Sequence, residues 1–427
     1  MNRTTSILLI ILACGALIAA AVPAIAGHIF HSLYKQTVEQ ANERSDLRVT
    51  SLEYQRGWLS SHALSRIEVV TSAAGAKTLS KPFHTLEIEH QIHHGFGSIL
   101  SHNTVFLGGT DEPQWLFQSD LPIEFSTVSN WSGDTDIQLR MPPIATEYVV
   151  QGQPNQLFSS ELTATLSLKD DFKKVEGKGS LAHVQWHMDQ GQIELTGLAY
   201  ELEQQQLIHY LHHGTQHFSL ETLHTDIEGS RLWLNDIDLI SAVRPDDDNH
   251  NLVNLTLNAR VGQGLTDNLN LGPLELAMGL QGIDAAALDK LIEITGQGAG
   301  QTLDQQELLN HIRRTLTPDS RLEISYLSAG TERGAVEAYG VVSMVPDSAT
   351  LHSMNYLDEL QANFTIKVPQ ALSTHLDIQQ QILLQALVAQ GVIELKNHHY
   401  ILNLQLEQGV LFLNGKALPL AALLGQW

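Results

Sequence analysis

The chain has 427 residues, of which 43% are hydrophobic and 17% are charged, a composition typical of two or three folded globular units rather than of a disordered chain. Acidic residues number 47 against 24 lysines and arginines, which gives a formal net charge of −23. This excess argues against a nucleic-acid partner, because phosphate binding relies on clustered lysine and arginine side chains.

An uncharged apolar run comes first in the chain, from Ser6 to Ala26. About 21 helical residues span roughly 31 Å, which matches the hydrocarbon core of a bilayer, so we predict a transmembrane helix in residues 1–27. Arg3 precedes the run, and a positive flank stays in the cytoplasm, so the remainder is predicted to be exported. Two other interpretations compete, namely signal-peptide cleavage after Ala26 and lipid attachment at Cys14, the only cysteine.

Beyond this run, alternation of apolar and polar residues is the main pattern. It extends over residues 162–168 and 253–261, and over 402–406 and 410–413 ahead of the turn dipeptide Asn414-Gly415. Such alternation predicts half-buried strands. The predicted fold class is therefore mainly β, with large curved antiparallel sheets and a few inserted helices, preceded by one N-terminal transmembrane helix.

Helical spacing is confined to short segments. Apolar residues recur every three or four positions around Leu288 and Leu308, which predicts a helical hairpin, and again in residues 379–390, where we expect a helix that caps the sheet. The predicted organisation is a transmembrane anchor at 1–27, a helical stalk at 28–45, a β-rich part at 46–280, a helical hairpin insertion at 281–318, and a second β-rich part at 319–427 with one helix near 379–390.

Signatures of common enzymes do not occur in the sequence. It has no G-x-S-x-G elbow, no G-x-x-x-x-G-K-[ST] loop and no H-E-x-x-H helix. The histidine pairs, such as His93-His94, are poor metal chelators, because adjacent residues of a strand point to opposite faces. We therefore predict a protein that is not an enzyme, with no catalytic residues, no cofactor and no metal site.

Three stretches carry a resemblance to a known family. Residues 54–63, YQRGWLSSHA, resemble the Y-x-R-G-W-[FL]-S-S-x-A signature of the YdgA-like family, which comprises bacterial envelope proteins of unknown function. Residues 88–95 resemble its I-x-H-G segment, with Phe96 in place of the proline expected next, and residues 391–416 resemble its closing G-x-[IL]…Y…G-x-L-x-x-N-G-K pattern. The resemblance implies a single anchor in the bacterial inner membrane, with the bulk of the chain in the periplasm.

The residues that carry this resemblance have two interpretations. In a structural role, Gly57 permits a tight turn, Tyr54 and Trp58 cover the sheet edge, and Ser60 and Ser61 begin the returning strand. In a docking role, Tyr, Trp and Arg side chains anchor a partner. The motif residues are Tyr54, Arg56, Gly57, Trp58, Ser60, Ser61, His94, Gly95, Tyr400, Gly409, Asn414 and Gly415.

Two classes of function stay open. The first is a binding or structural protein of the envelope, whose partner is a lipid or another envelope protein. Its layout is loosely similar to that of AsmA-like proteins, which are implicated in lipid movement, and this suggests an apolar groove for a hydrophobic ligand. The second is an enzyme whose site is assembled from dispersed histidines and acidic residues. An open apolar groove would favour ligand binding, while a filled core would favour a scaffold.

Overall fold

In the computed structural model, the described residues fall into two compact units, the first within residues 1–182 and 295–302 and the second within residues 183–294 and 303–427. The described residues are 42, 47–69, 85–95, 97–107, 123–130, 132–150, 153–170, 173–266, 270–297, 305–344, 360–407 and 409–418.

The first unit is an antiparallel sheet of mostly short strands. Its strands are β1 (Leu47–Arg56), β2 (Ser60–Val69), β3 (Thr85–His94), β4 (Ser98–Leu107), β5 (Ile123–Asn130), β6 (Thr135–Met141), β7 (Ile144–Val150), β8 (Gln153–Ser159), β9 (Leu162–Lys169) and the first part of β10 (Lys174–Met188). They pair in the order β1-β2-β3-β4-β5-β6-β9-β10, while β7 and β8 pair with each other. Along β6, half-buried and exposed residues alternate without a break, as the pleat of a strand requires.

The second unit is an antiparallel sheet with longer strands. Its strands after β10 are β11 (Gly191–Gln206), β12 (His212–Ile227), β13 (Ser230–Pro245), β14 (Leu252–Thr266), β15 (Asn270–Asp284), β16 (Leu316–Thr331), β17 (Gly334–Met344), β18 (Leu360–Pro369), β19 (Glu394–Lys396), β20 (His399–Glu407), β21 (Val410–Leu413) and β22 (Lys416–Leu418). Successive strands pair from β11 to β18, then β18 pairs with β20, β20 with β19 and β21, and β21 with β22.

Helices interrupt the second sheet at two points. Helix α1 (Ala285–Gln297) and helix α2 (Gln305–Thr315) lie between β15 and β16. A 3₁₀ helix (Gln370–His375) and helix α3 (Ile378–Ala389) lie between β18 and β19. The side chain of Asp377 accepts a hydrogen bond from the backbone N–H of Gln380, which caps α3, yet no residue of α3 is buried.

The fully buried apolar cluster of the second unit lies at one end of its sheet. Leu211, Val253 and Ile283 pack there with Ala285, the first residue of α1. Asp289 of α1 fastens the β11–β12 turn to this cluster, because its Oδ1 accepts the backbone N–H groups of Tyr210 and Leu211 at 2.6 and 2.7 Å. The core is therefore local, and most of the sheet lies outside it.

The predicted fold class needs a correction. The mainly β architecture and the large antiparallel sheets are confirmed, but the N-terminal transmembrane helix is not supported. Of the helices in the described part of the chain, none combines the length and the apolar character needed to cross a membrane. The prediction rested on residues 6–26, which lie outside the described residues, as does the predicted stalk at 28–45 apart from Asn42.

Candidate functional site

The motif residues form two groups, one in each unit, and the first group shapes two similar turns. The backbone N–H of Gly57 donates to the Ser60 carbonyl at 2.8 Å, and that of Gly95 donates to the Ser98 carbonyl at 2.9 Å. A Cβ atom on either glycine would lie less than 3.0 Å from that same carbonyl oxygen. Both turns therefore exclude a side chain at the glycine, and they set the register of β1–β2 and β3–β4.

A buried Ser–His pair follows directly from these turns. The Oγ atom of Ser61 lies 2.8 Å from Nε2 of His94, and the two residues are only 5% and 4% exposed. Burial lowers the pKa of His94 below its ordinary value. Electrostatic repulsion from Arg56 and His93 acts in the same direction. Among the described residues, Nδ1 of His94 has no hydrogen-bond partner. The neutral imidazole is thus the stable form at neutral pH.

Sequence reasoning missed a second buried relay on the same face of this sheet. The Nδ1–H group of His90 donates to Oδ1 of Asn103 at 2.6 Å, which leaves Nε2 to accept the Ser65 hydroxyl at 2.8 Å. Asn103 also accepts from the Ser101 hydroxyl at 2.7 Å and donates to the Phe125 carbonyl at 3.1 Å. Burial lowers the pKa of His90, although the hydrogen bond to Asn103 acts in the opposite direction. A chain of neutral polar groups therefore crosses β2, β3 and β4.

The remaining residues of the first group lie near the surface. Trp58 is 61% exposed and Leu59 is 62% exposed at the tip of the β1–β2 hairpin. Arg56 and Ser60 are also exposed, while Tyr54 is half-buried. The hairpin tip thus presents an aromatic and an aliphatic side chain to solvent.

The second group of motif residues is organised around Asn414. Its Oδ1 atom accepts the backbone N–H and the side-chain amide of Asn403 at 3.0 and 2.8 Å. Its own amide donates to the carbonyls of Val392 and Ile401 at 2.7 and 3.0 Å. Asn414 and Gly415 form the β21–β22 turn with φ values of 46° and 77°. The asparagine therefore fastens together the turn, β20 and the chain that follows α3.

The other two residues of this group serve the same strands. Tyr400 lies opposite Val368 of β18 and Leu395 of β19 in the register of the sheet. Gly409, with φ of 73°, lies in the β20–β21 turn. The residues of the second group therefore make contacts that hold neighbouring strands and turns of the sheet together.

The second unit carries an apolar face on one side of its sheet, and no motif in the sequence indicates it. Directly opposed residues share a face of a sheet, and one transverse row crosses eight strands with an apolar residue in each. This row is Phe218, Leu239, Ala259, Leu276, Leu327, Ala338, Ile366 and Leu402. A parallel row is Val243, Leu255, Leu280, Leu322, Val342, Ala362, Leu406 and Leu411. We call these two rows, with Leu257, Met278, Ile324, Phe364 and Leu404 between them, the apolar face.

Members of the apolar face are half-buried or exposed throughout the described residues. Leu239 is 37% exposed and Leu327 is 40% exposed. Neighbours within a single sheet cover a strand side chain only in part, and full burial needs a second packed layer. Val243, Leu255 and Leu280 pack against the buried cluster at one end of the sheet, so the remaining members of the face are the ones available to a ligand.

The opposite face of the same strands is charged. One row there is Asp238, Arg260, Glu275, Ser328, Glu337 and Lys367. His217 lies 2.6 Å from Asp238, and Lys367 lies 3.4 Å from Glu337. The sheet is thus amphipathic across its thickness, with ion pairs on one side and aliphatic side chains on the other.

No metal centre accompanies these features within the part of the chain that the structure describes. No three histidine, cysteine, aspartate or glutamate side chains there are grouped so that they could hold an ion. The arrangement offers hydrophobic binding on the apolar face and hydrogen bonding elsewhere.

Comparisons with known proteins give one match. A family model described as "Bacterial protein of unknown function (DUF945)" matches residues 1–421. This match is consistent with the resemblance to the YdgA-like family. No curated protein and no solved structure matches the chain.

Proposed function

From the premise that the chain belongs to the DUF945 family of bacterial proteins of unknown function, we propose that it is a non-enzymatic envelope protein that holds the acyl chain of a lipid on the apolar face. The observation that carries this proposal is the transverse row from Phe218 to Leu402, which is apolar in every strand and fully buried in none. A contiguous apolar surface of this kind on a protein marks a binding site.

The dimensions of the apolar face suit an acyl chain. Eight neighbouring strands spaced about 4.8 Å apart give a row about 34 Å long, which is longer than a common fatty-acid chain. The side chains along it are aliphatic or aromatic, so they supply dispersion contacts and no hydrogen bonds. An extended polypeptide would bring backbone N–H and C=O groups that this face cannot satisfy, and burying them would cost free energy. The chemistry therefore favours a lipid over a peptide.

We further propose that this binding takes place in the periplasm. The uncharged run from Ser6 to Ala26 and the preceding Arg3 support an export signal. Alkaline phosphatase folds only after export, so a fusion of this enzyme after Ser45 is expected to be active in cells. An inactive fusion would place the domain in the cytoplasm and contradict the location.

The matched pair Leu239 and Ile240 tests lipid binding. These adjacent residues of β13 are 37% and 39% exposed, but they lie on opposite faces of the sheet. Titration of the full chain with dansyl-undecanoic acid, a fluorescent fatty acid, is expected to show binding that Leu239→Gln weakens about tenfold, because a buried leucine contributes about 1.5–3 kcal/mol. Ile240→Gln is expected to bind like the parent. Equal affinity of both variants would contradict the proposal.

The Ser65–His90–Asn103 relay favours a second candidate function, a serine hydrolase. A neutral imidazole that accepts the serine hydroxyl and is oriented by an amide oxygen has the connectivity of a nucleophile and its base. Ser65 is only 3% exposed, however, so a substrate would have to reach a buried oxygen. A fluorophosphonate probe that labels the protein, but not Ser65→Ala, would support this candidate. An unlabelled protein would leave the relay as a structural element.

A further inference from the structure

A second binding chemistry is present in the second unit, in an open pocket at the end of strands β13 to β16. The pocket has a volume of about 430 Å³. Its polar and aromatic lining consists of Trp233, Asn235, Gln263, Asn270, Thr331 and Glu332. This inference does not rest on the proposed lipid function, because none of these residues belongs to the apolar face.

The register of the sheet places the main lining side chains together. Asn235 lies directly opposite Gln263, while Trp233 lies opposite Leu265, which in turn lies opposite Asn270. Directly opposed residues project from the same side of a sheet. The indole and the carboxamides therefore converge on one volume, and Trp233 remains 47% exposed within it.

The hydrogen-bonding groups of the pocket fit a ligand rich in hydroxyl groups. Each carboxamide presents both a donor and an acceptor, as a hydroxyl group requires of its surroundings. Asn270 donates to the carboxylate of Glu332, which orients both side chains. The Oδ1 atom of Asn235 is buried and, among the described residues, has no hydrogen-bond partner. An unsatisfied buried acceptor is costly, and a hydroxyl donor from a ligand would satisfy it.

Other ligand classes fit this lining less well. Lysine and arginine are absent from the described lining residues, so a phosphate would lack a counter-charge. An acyl chain would leave the buried Oδ1 atom of Asn235 without a hydrogen-bond donor. The negative face of an indole attracts the weakly positive C–H groups on one side of a sugar ring. We infer that this pocket binds a saccharide, with the sugar ring on Trp233 and its hydroxyl groups on Asn235, Gln263 and Asn270.

Saturation-transfer NMR and calorimetry on the full chain test this inference. The probes are chitotriose and maltotriose, with inorganic phosphate as the control ligand. We expect saturation transfer from the protein to the protons of at least one trisaccharide. We expect calorimetry to detect no binding of phosphate. The variants Trp233→Ala and Gln263→Ala are expected to weaken trisaccharide binding about tenfold or more, with thermal unfolding curves that show a folded protein.

Two control variants separate this site from other surfaces. Trp58→Ala removes a more accessible indole from the first unit and is expected to leave trisaccharide binding unchanged. Leu239→Gln is expected to do the same, so a failure of lipid binding would leave the saccharide inference standing. Absence of binding to both trisaccharides, binding of phosphate in their place, or equal affinity of Trp233→Ala and the parent would each overturn it.

Discussion

Two faces of this molecule reverse the usual distribution of polar and apolar groups. In the first unit, the inward positions of β2, β3 and β4 carry serine, histidine and asparagine side chains that are buried, apart from the half-buried His90. In the second unit, the corresponding positions carry aliphatic side chains that remain half-open to solvent. Hydrogen bonds pair most groups of the buried polar row, although Nδ1 of His94 has no partner among the described residues, whereas the open apolar face has no second layer that fully buries it. We therefore interpret the first as a structural element and the second as the proposed binding surface.

Breaking the buried polar row is expected to have the largest effect on stability. Asn103→Ala removes the acceptor for both His90 and Ser101, so each of them loses one hydrogen bond in a largely buried setting. The free energy of unfolding is expected to fall by roughly 3 kcal/mol, as measured by urea denaturation followed by circular dichroism. Thr104→Ala, one residue along the same strand and on the other face, is the matched control and is expected to change it by at most about 0.5 kcal/mol. Equal effects of the two variants would show that the relay does not stabilise the unit.

Acidification is expected to lower the stability of the first unit by less than Asn103→Ala does. The pKa values of His90 and His94 are lowered in the folded state, so the unfolded chain binds more protons once the pH falls below the ordinary histidine value of 6.5. The stability that these neutral histidines contribute is complete above about pH 6.5 and is lost as the pH falls through their folded-state values. Hydrogen exchange, corrected for its intrinsic pH dependence, should show lower protection of β2–β4 at pH 5 than at pH 7.5. Protection of β20–β21 around Asn414 should change less, and an equal change in both regions would contradict this cause.

The smallest expected effect on stability is at the hairpin tip. Trp58 is 61% exposed, so Trp58→Ala removes few packed contacts and is expected to shift the free energy of unfolding by at most about 0.5 kcal/mol. Thermal unfolding of the purified variant measures this. A loss of several kcal/mol would show that the indole is a structural element of the first unit rather than a surface side chain.

The sequence predicted the positions of strands better than it predicted which of their residues share a face of the sheet. Alternation over residues 162–168 and 253–261 corresponds to β9 and β14, and the Asn414-Gly415 dipeptide lies in the turn between β21 and β22. In β16, an irregularity between Ile324 and Leu327 places both residues on the apolar face, which breaks the period-2 pattern. The apolar row depends on the register of eight strands, and the register is set by long-range pairing that no local window contains.

The sequence contains a weaker pattern that corresponds to the two serine–histidine contacts. Ser61, Ala63 and Ser65 alternate along β2, and His90, Ile92 and His94 alternate along β3, so polar residues occupy positions of an inward period-2 series. The same pattern fits an exposed strand face, and only the pairing of β2 with β3 shows that serine meets histidine. The motif residues identified from sequence lie in turns, in one buried pair and at one exposed hairpin tip, while the candidate binding surfaces lie where no motif occurs.

Mass spectrometry of lipids that co-purify with the full chain tests the central claim most directly. Leu327 and Tyr326 are adjacent in β16 and are 40% and 38% exposed, but only Leu327 belongs to the apolar face. We predict that the parent protein and Tyr326→Gln carry a lipid, and that Leu327→Gln carries markedly less while unfolding at a similar temperature. A parent protein without lipid, or equal lipid content in the two variants, would contradict the account.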